Sequence, residues 1–227
     1  MNALEIKDIM PKCNHGYGSF QFNERTFTMK ILLLAAHPDL ARSRINRLWF
    51  ESLSALPNVT ARDLAQVGGP QMRFRREQEH DLLLAHDRIV MQFPFHWYAA
   101  PAVLKAWIDE VYSDGFAYGQ GGDKLKGKEL LLATSTGGPA DSYHAGNFNN
   151  FSMDELLKPY QQTALLTGMT YLRPFVFHGM ALASDDEINA SVPRLLAHVT
   201  DEALDPRVRL ALINRQRAER KTVGLAA

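Results

Sequence analysis

Arg88-Ile89-Val90-Met91-Gln92-Phe93-Pro94-Phe95-His96-Trp97-Tyr98-Ala99-Ala100-Pro101-Ala102-Val103-Leu104-Lys105-Ala106-Trp107-Ile108-Asp109 is the stretch that decides the fold. Its first six residues make a short, mostly apolar run of strand length. Pro94 breaks the run, three large rings and a histidine follow, and Pro101 opens a helix at the first-turn position where proline is tolerated. The unit is strand, aromatic turn, helix. In open α/β sheets such turns collect at the carboxyl ends of the parallel strands, where flat ligands bind. Rings placed there can line the side of a planar heterocycle.

The same grammar repeats on both sides. Lys30 to Ala36 is an apolar run typical of a strand buried on both faces. A helix is predicted from about Ser43 to Leu56, stopped by Pro57-Asn58, and Val59 to Leu64 forms a second strand. A polar loop with Gly68, Gly69 and Pro70 precedes a helix over Arg76 to His86. Beyond the quoted stretch, Glu129 to Thr134 is the fourth strand and Met153 to Leu166 a helix bent near Pro159. Tyr171 to His178 is the fifth strand and Asp186 to Ala203 a last amphipathic helix. Five strands alternating with helices imply an α/β domain: a parallel sheet with right-handed crossovers and helices on both faces.

One domain over residues 29–205 accounts for most of the 227 residues. Residues 1–28 lack a sustained period and read as an arm. Residues 206–227 form a basic tail with Arg207, Arg209, Arg215, Arg217, Arg220 and Lys221. The tail has no interleaved aromatics, so it reads as a solvated helix or a partner contact, not a nucleic-acid surface. Lys and Arg total 25, as do Asp and Glu, so no net field recruits nucleic acid or an anionic membrane. The single Cys13 rules out an internal disulfide and a cysteine-rich zinc site. His37, His80 and His86 lack metal-ligand spacing, and no metal is expected. Without a signal sequence or a spanning run, the chain reads as soluble and cytoplasmic.

Three loops fall at one edge of such a sheet. After the first strand, Ala36-His37-Pro38-Asp39-Leu40-Ala41-Arg42-Ser43-Arg44-Ile45-Asn46 leads into a helix amino terminus, whose free amides favour a phosphate. Ser43 can add a hydroxyl, and His37 and Asn46 further donors, although Ser43 alone reads as a plain helix cap. After the third strand comes the aromatic turn. After the fourth comes Ser135-Thr136-Gly137-Gly138-Pro139-Ala140-Asp141-Ser142-Tyr143-His144, where paired glycines admit a close ligand and hydroxyls add donors. One loop for phosphate and two for a planar polar ring describe a flavin mononucleotide site. Neither a Walker pattern nor GxGxxG is present.

On these residues the chain resembles the flavodoxin-like NAD(P)H:quinone oxidoreductases, the family of DT-diaphorase, the drug-activity modulator reductases and the ancillary subunit of glutathione-gated potassium efflux systems. The resemblance spans roughly residues 29 to 205. It rests on His37-Pro38, Ser43 to Asn46, the Phe-Pro-X-X-Trp-Tyr turn with its Pro-X-X-Leu-Lys-X-Trp-Ile-Asp helix, Phe116-Ala117-Tyr118-Gly119, and Thr136-Gly137-Gly138. It implies a five-stranded sheet in the order 2-1-3-4-5. It places Ser43, Arg44, Ile45 and Asn46 around the flavin phosphate and ribityl chain. Phe95, His96, Trp97, Tyr98, Ser135, Thr136, Gly137 and Gly138 then border the isoalloxazine. It implies a homodimer, with Phe116 and Tyr118 beside the acceptor on a glycine-rich loop that reaches the other chain's cavity. Diaphorase-type members carry a tyrosine followed six residues later by a histidine; Tyr143 matches the first, but Asn149 stands at the second, leaving His144 as the nearby imidazole.

The activity so implied is two-electron, ping-pong transfer from NAD(P)H through the flavin to a quinone, with Tyr143 and His144 as catalytic candidates. FMN is expected, with FAD the alternative, and NADH is not separated from NADPH. A same-fold azoreductase or nitroreductase would differ only in acceptor. A regulatory subunit of a potassium efflux system, peripheral to the inner membrane through that partner, is a third reading. A one-electron carrier would be markedly acidic, and this chain is neutral.

Overall fold

The computed structural model describes residues 29–224; the arm at 1–28 lies outside the described residues. In chain order the elements are β1 (Ile31–Ala35), α1 (Arg44–Ser54), β2 (Val59–Asp63), α2 (Leu64–Gly68), α3 (Arg76–Ala85), β3 (Arg88–Pro94), α4 (Ala102–Val111), β4 (Glu129–Ser135), α5 (Met153–Leu156), α6 (Lys158–Leu166), β5 (Thr170–Tyr171), β6 (Phe175–Phe177), α7 (Asp185–Thr200) and α8 (Pro206–Gly224). All strands run parallel, in the order β2-β1-β3-β4-β5, with β6 also on β4. Sequence order reverses direction between β1 and β3, so the loops after those two strands diverge and leave a crevice at their carboxyl ends.

β1 and β3 are buried along their whole length, and β4 from its second residue, because helices cover both faces. On one side Ile31, Leu33, Val90 and Leu131 meet Trp49 of α1 and Leu195 and Val199 of α7. Trp49 Nε1 donates to Ser191 Oγ at 2.9 Å, joining these two helices. On the other side Leu32, Leu34, Ile89, Met91 and Leu132 meet Leu83 of α3, Leu104 and Trp107 of α4 and Ala164 of α6.

Three elements depart from the sequence reading. The expected fifth strand is two short ones, interrupted at Leu172, Arg173 and Pro174. Glu129 pairs with Thr170, but Ala133 pairs with Phe175, so β4 faces one extra residue between them. A bulge with a proline that lacks an amide donor accounts for the break. The stretch after β2 is not wholly loop, since Asp63 accepts from the amides of Ala65 and Gln66 and starts α2. The helix over 153–166 is divided at Leu157, one residue earlier than a simple bend at Pro159 requires, and Pro159 lies in the first turn of α6. The tail is helical to Gly224, with Val208, Leu210, Leu212 and Ile213 exposed.

Candidate functional site

The loop after β1 turns through Leu40–Arg42, and Ser43 caps α1: its Oγ accepts from the Asn46 amide at 3.0 Å. The amides of Arg44 and Ile45 open the helix and have no intrahelical acceptor, which is the arrangement that attracts a phosphate. Only the backbone of Ile45 is on offer, because its side chain is core. Arg44 reaches the other way, its guanidinium donating to Ala183 O at 3.0 Å and pairing with Asp185 at 2.7 Å. His37 sits at the mouth with Nδ1 accepting from the Asp39 amide at 3.0 Å. Burial first, and His96 at 6.5 Å between ring centroids second, hold its pKa below the ordinary histidine value.

The aromatic turn is strained. His96 and Ala99 exchange both backbone hydrogen bonds, at 2.9 and 3.0 Å, and the residues between them, Trp97 and Tyr98, sit at φ of 49° and 62°. Such a turn ordinarily takes asparagine or glycine at these positions, and two bulky rings there store backbone strain of the kind that clusters at ligand sites. Trp97 is 93% exposed, Tyr98 half exposed, and Phe95 packs edge-on to Tyr98 at 6.3 Å. The far end is pinned, since the Ala100 amide donates to Tyr160 Oη of α6 at 2.9 Å.

The glycine loop faces this turn. A side chain added at Gly137 would enter open space, whereas one at Gly138 would strike Ser142 Oγ at 2.9 Å. The first glycine leaves room for a ligand and the second lets the loop close on itself. Among the described residues, the amides of Trp97 and Gly137 have no acceptor. The buried Oε1 of Gln92, on the floor between β1 and β4, also lacks a donor. Open amides, a free cradle and ring walls fit a planar polar ring with a phosphate tail.

Several expected donors prove to be structural. Asn46, Ser135 and Thr136 are buried. Asn46 Nδ2 donates to Ser135 Oγ at 3.2 Å and Thr136 Oγ1 donates to Gly138 O at 2.9 Å, so these groups hold the floor together rather than face outward. Gln92 completes the floor by donating to Asn46 O at 2.7 Å; a lone amide in an apolar strand was its signal in the sequence. Phe116 is a correction: it is buried and stacked on His80 at 3.5 Å, so its ring is not available to a substrate. Only Tyr118 of that pair faces solvent. The ring of His144 lies apart from that of Tyr143. It is exposed and its Nδ1 bonds Ala145 O at 2.9 Å, while the imidazole that packs against Tyr143 is His178, at 5.4 Å. Because Thr136 spends its proton on Gly138 O, His178 Nδ1–H is the donor in their 3.1 Å contact. Burial keeps His178 below its ordinary pKa. His178 directly follows β6, and nothing in the sequence marked it beyond its place at the end of the expected fifth strand.

An open parallel sheet with a ring-and-phosphate crevice at its reversal point is the class that fold and site define. A family described as having a flavodoxin-like fold matches residues 29–199, and the chain belongs to that family. It is 48% identical to the uncharacterized NAD(P)H oxidoreductase YdeQ of Bacillus subtilis, over 80% of this chain and 92% of that one. It is 42% identical to the glutathione-regulated potassium-efflux system ancillary protein KefG of Pectobacterium atrosepticum, over 66% and 81%. Among solved structures, general stress protein 14 of Treponema denticola in complex with FMN superposes with TM-score 0.70 at 36% identity, over 74% and 96%. An NADPH-quinone reductase of P. pentosaceus gives 0.69 at 35%, over 76% and 99%. A protein described as a thermophilic tryptophan halogenase from Streptomycin violaceusniger gives 0.73 at 40%, over 75% and 99%. Names this varied on one fold leave the reaction to be argued from the site.

Proposed function

We propose that this protein is an FMN-dependent NAD(P)H oxidoreductase that passes two electrons to a quinone by a ping-pong route. The observation that carries the reading is the convergence of three loops at one sheet edge: the open amides of α1, the strained aromatic turn and the cradle at Gly137. An NAD(P)H oxidoreductase at 48% identity and an FMN complex among the structural neighbours support it. Bound flavin supplies the two-electron chemistry, and the protein supplies position and electrostatics.

In this reading the amides of Arg44 and Ile45, with the Ser43 hydroxyl, hold the phosphate. Phe95, His96, Trp97 and Tyr98 wall the ring and keep water from it. The Gly137 amide donates to the ring's polar edge, where preorganised donors are most effective against developing negative charge. Tyr143 holds a proton at Oη for the acceptor, and Tyr143→Phe should lower turnover by up to about a hundredfold without loss of flavin. Both substrates share one cleft, so double-reciprocal plots for NAD(P)H and a small quinone should be parallel. The test begins with the purified protein: one FMN per chain, identified after release by chromatography, supports the reading. A protein that stays colourless after FMN is added ends it, and FAD in its place overturns only the cofactor.

A second reading is favoured by the KefG relationship: the reductase doubles as the ancillary subunit of a membrane potassium-efflux system. Among the described residues no helix is long and apolar enough to cross a membrane. Flux through the co-expressed transporter, with and without this protein, separates that role from catalysis. A panel of azo and nitro acceptors tests the remaining alternative.

A further inference from the structure

We propose that Asn149 is the positioning residue that fixes the ring cleft, tying the aromatic turn after β3 to the glycine loop after β4. This rests on the reading of that cleft as the flavin site. Tyr98 Oη donates to Asn149 Oδ1 at 3.2 Å, and Asn149 Nδ2 donates to Ser142 Oγ at 2.7 Å. Ser142, fully buried, passes its own proton to Pro139 O at 2.7 Å, and the Asn149 amide donates to Ser142 O at 3.2 Å. The chain of bonds therefore runs from a turn whose central residues both sit at positive φ to the carbonyl that follows Gly138.

Each link has a reason to be there. The amide side chain is both acceptor and donor, so it can bridge two hydroxyls that a single-function group would leave half satisfied. It lies within 3.1 Å of where a Cβ on Gly138 would stand, so the glycine is what lets it sit so deep. Trp97 and Tyr98 pay a conformational cost, and such strain persists only where surrounding contacts over-determine it. Asn149 supplies the side-chain contact of that kind at Tyr98. An amide does not titrate in the physiological range, so Asn149 itself brings no pH dependence to the bridge.

Trp97 supplies a readout that needs no flavin. It is 93% exposed, while Trp49 and Trp107 are fully buried, so the quencher-accessible tryptophan emission of the flavin-free protein comes from Trp97. In Asn149→Ala and in Tyr98→Phe, time-resolved anisotropy should show faster local motion of Trp97. Asn149→Asp, which still accepts from Tyr98 Oη but cannot donate to Ser142, should recover only part of the slower motion. FMN titration of the same proteins should give about a fivefold weaker affinity in each of the first two. The double variant should be no weaker than the worse single, because both remove one bond. Unchanged Trp97 motion in both single variants, or losses of FMN affinity that add in the double variant, would overturn the proposal. A wild-type protein that binds no FMN while the anisotropy pattern holds would count against the flavin reading and leave the bridge standing.

Discussion

Ser43 has two duties that single substitutions can separate. Its oxygen accepts from the Asn46 amide, which is the cap, and its hydrogen stays free for a phosphate. Ser43→Ala should lose the cap and cost about 1 kcal/mol of stability. Ser43→Asp keeps an acceptor for the Asn46 amide but sets a carboxylate against the phosphate; it should melt like wild type and bind FMN far more weakly. Equal FMN binding by the Asp variant would leave Ser43 as a cap only. His37, in the same loop, predicts a pH effect. Its Nδ1 must be unprotonated to accept from the Asp39 amide, and burial lowers its folded pKa. The unfolded chain takes up that proton near the ordinary value of about 6.5, the folded protein only at lower pH. Stability is therefore full above that value, falls as the pH drops below it, and levels off beneath the folded pKa. His178 and His198, also lowered chiefly by burial, act in the same direction. Urea midpoints between about pH 7.5 and 5.5 should fall, and His37→Gln should flatten the slope; an unchanged slope in that variant would remove His37 from the account.

At the scale of elements, one buried carboxylate organises a whole flank of the sheet. Glu79 of α3 is fully buried, pairs with Arg62 of β2 and accepts from Trp107 Nε1 of α4 at 3.0 Å. Glu79→Ala strands a largely buried guanidinium and an indole donor, so it should cost about 3–5 kcal/mol in urea unfolding. A loss near that of an ordinary surface substitution would show that the pair carries no net stability. None of this was legible in the sequence, because Glu79 reads there as one more polar residue in Arg76-Glu77-Gln78-Glu79. What was legible follows from burial: β1, β3 and β4 are apolar runs because both faces are covered, and their order along the chain already places three loops at one edge. β5 and β6 were read as one strand because a one-residue slip against β4 depends on packing, not on local pattern. For the loops of the candidate site, the direction of the side chains was not legible. Ser135, Thr136 and Asn46 have the same hydroxyls and amide whether they face a ligand or each other, and only the fold decides that. The burial of Phe116 was hidden for the same reason, since its partner His80 lies on α3, distant in sequence.

At the scale of the molecule, charge and exposure are unevenly divided. The tail from Pro206 sets six basic side chains against Glu219, so the rest of this neutral chain carries the excess of acid. The glycine-rich loop after α4 presents its own asymmetry. Phe116 anchors it in the core, and the Gly115 amide closes it on Tyr118 O at 2.8 Å. The loop is thus a built support that holds one ring, Tyr118, outward at 44% exposure. A ring so held stacks on no other ring among the described residues, which fits a homodimer in which Tyr118 covers the acceptor in the partner's cleft. Tyr118→Ala should then raise the Michaelis constant for quinone by up to about tenfold, the scale of one aromatic contact, with flavin content unchanged. The mass in solution decides the arrangement. Light scattering at micromolar concentration should give twice the chain mass, and a monomer with full quinone turnover would exclude it.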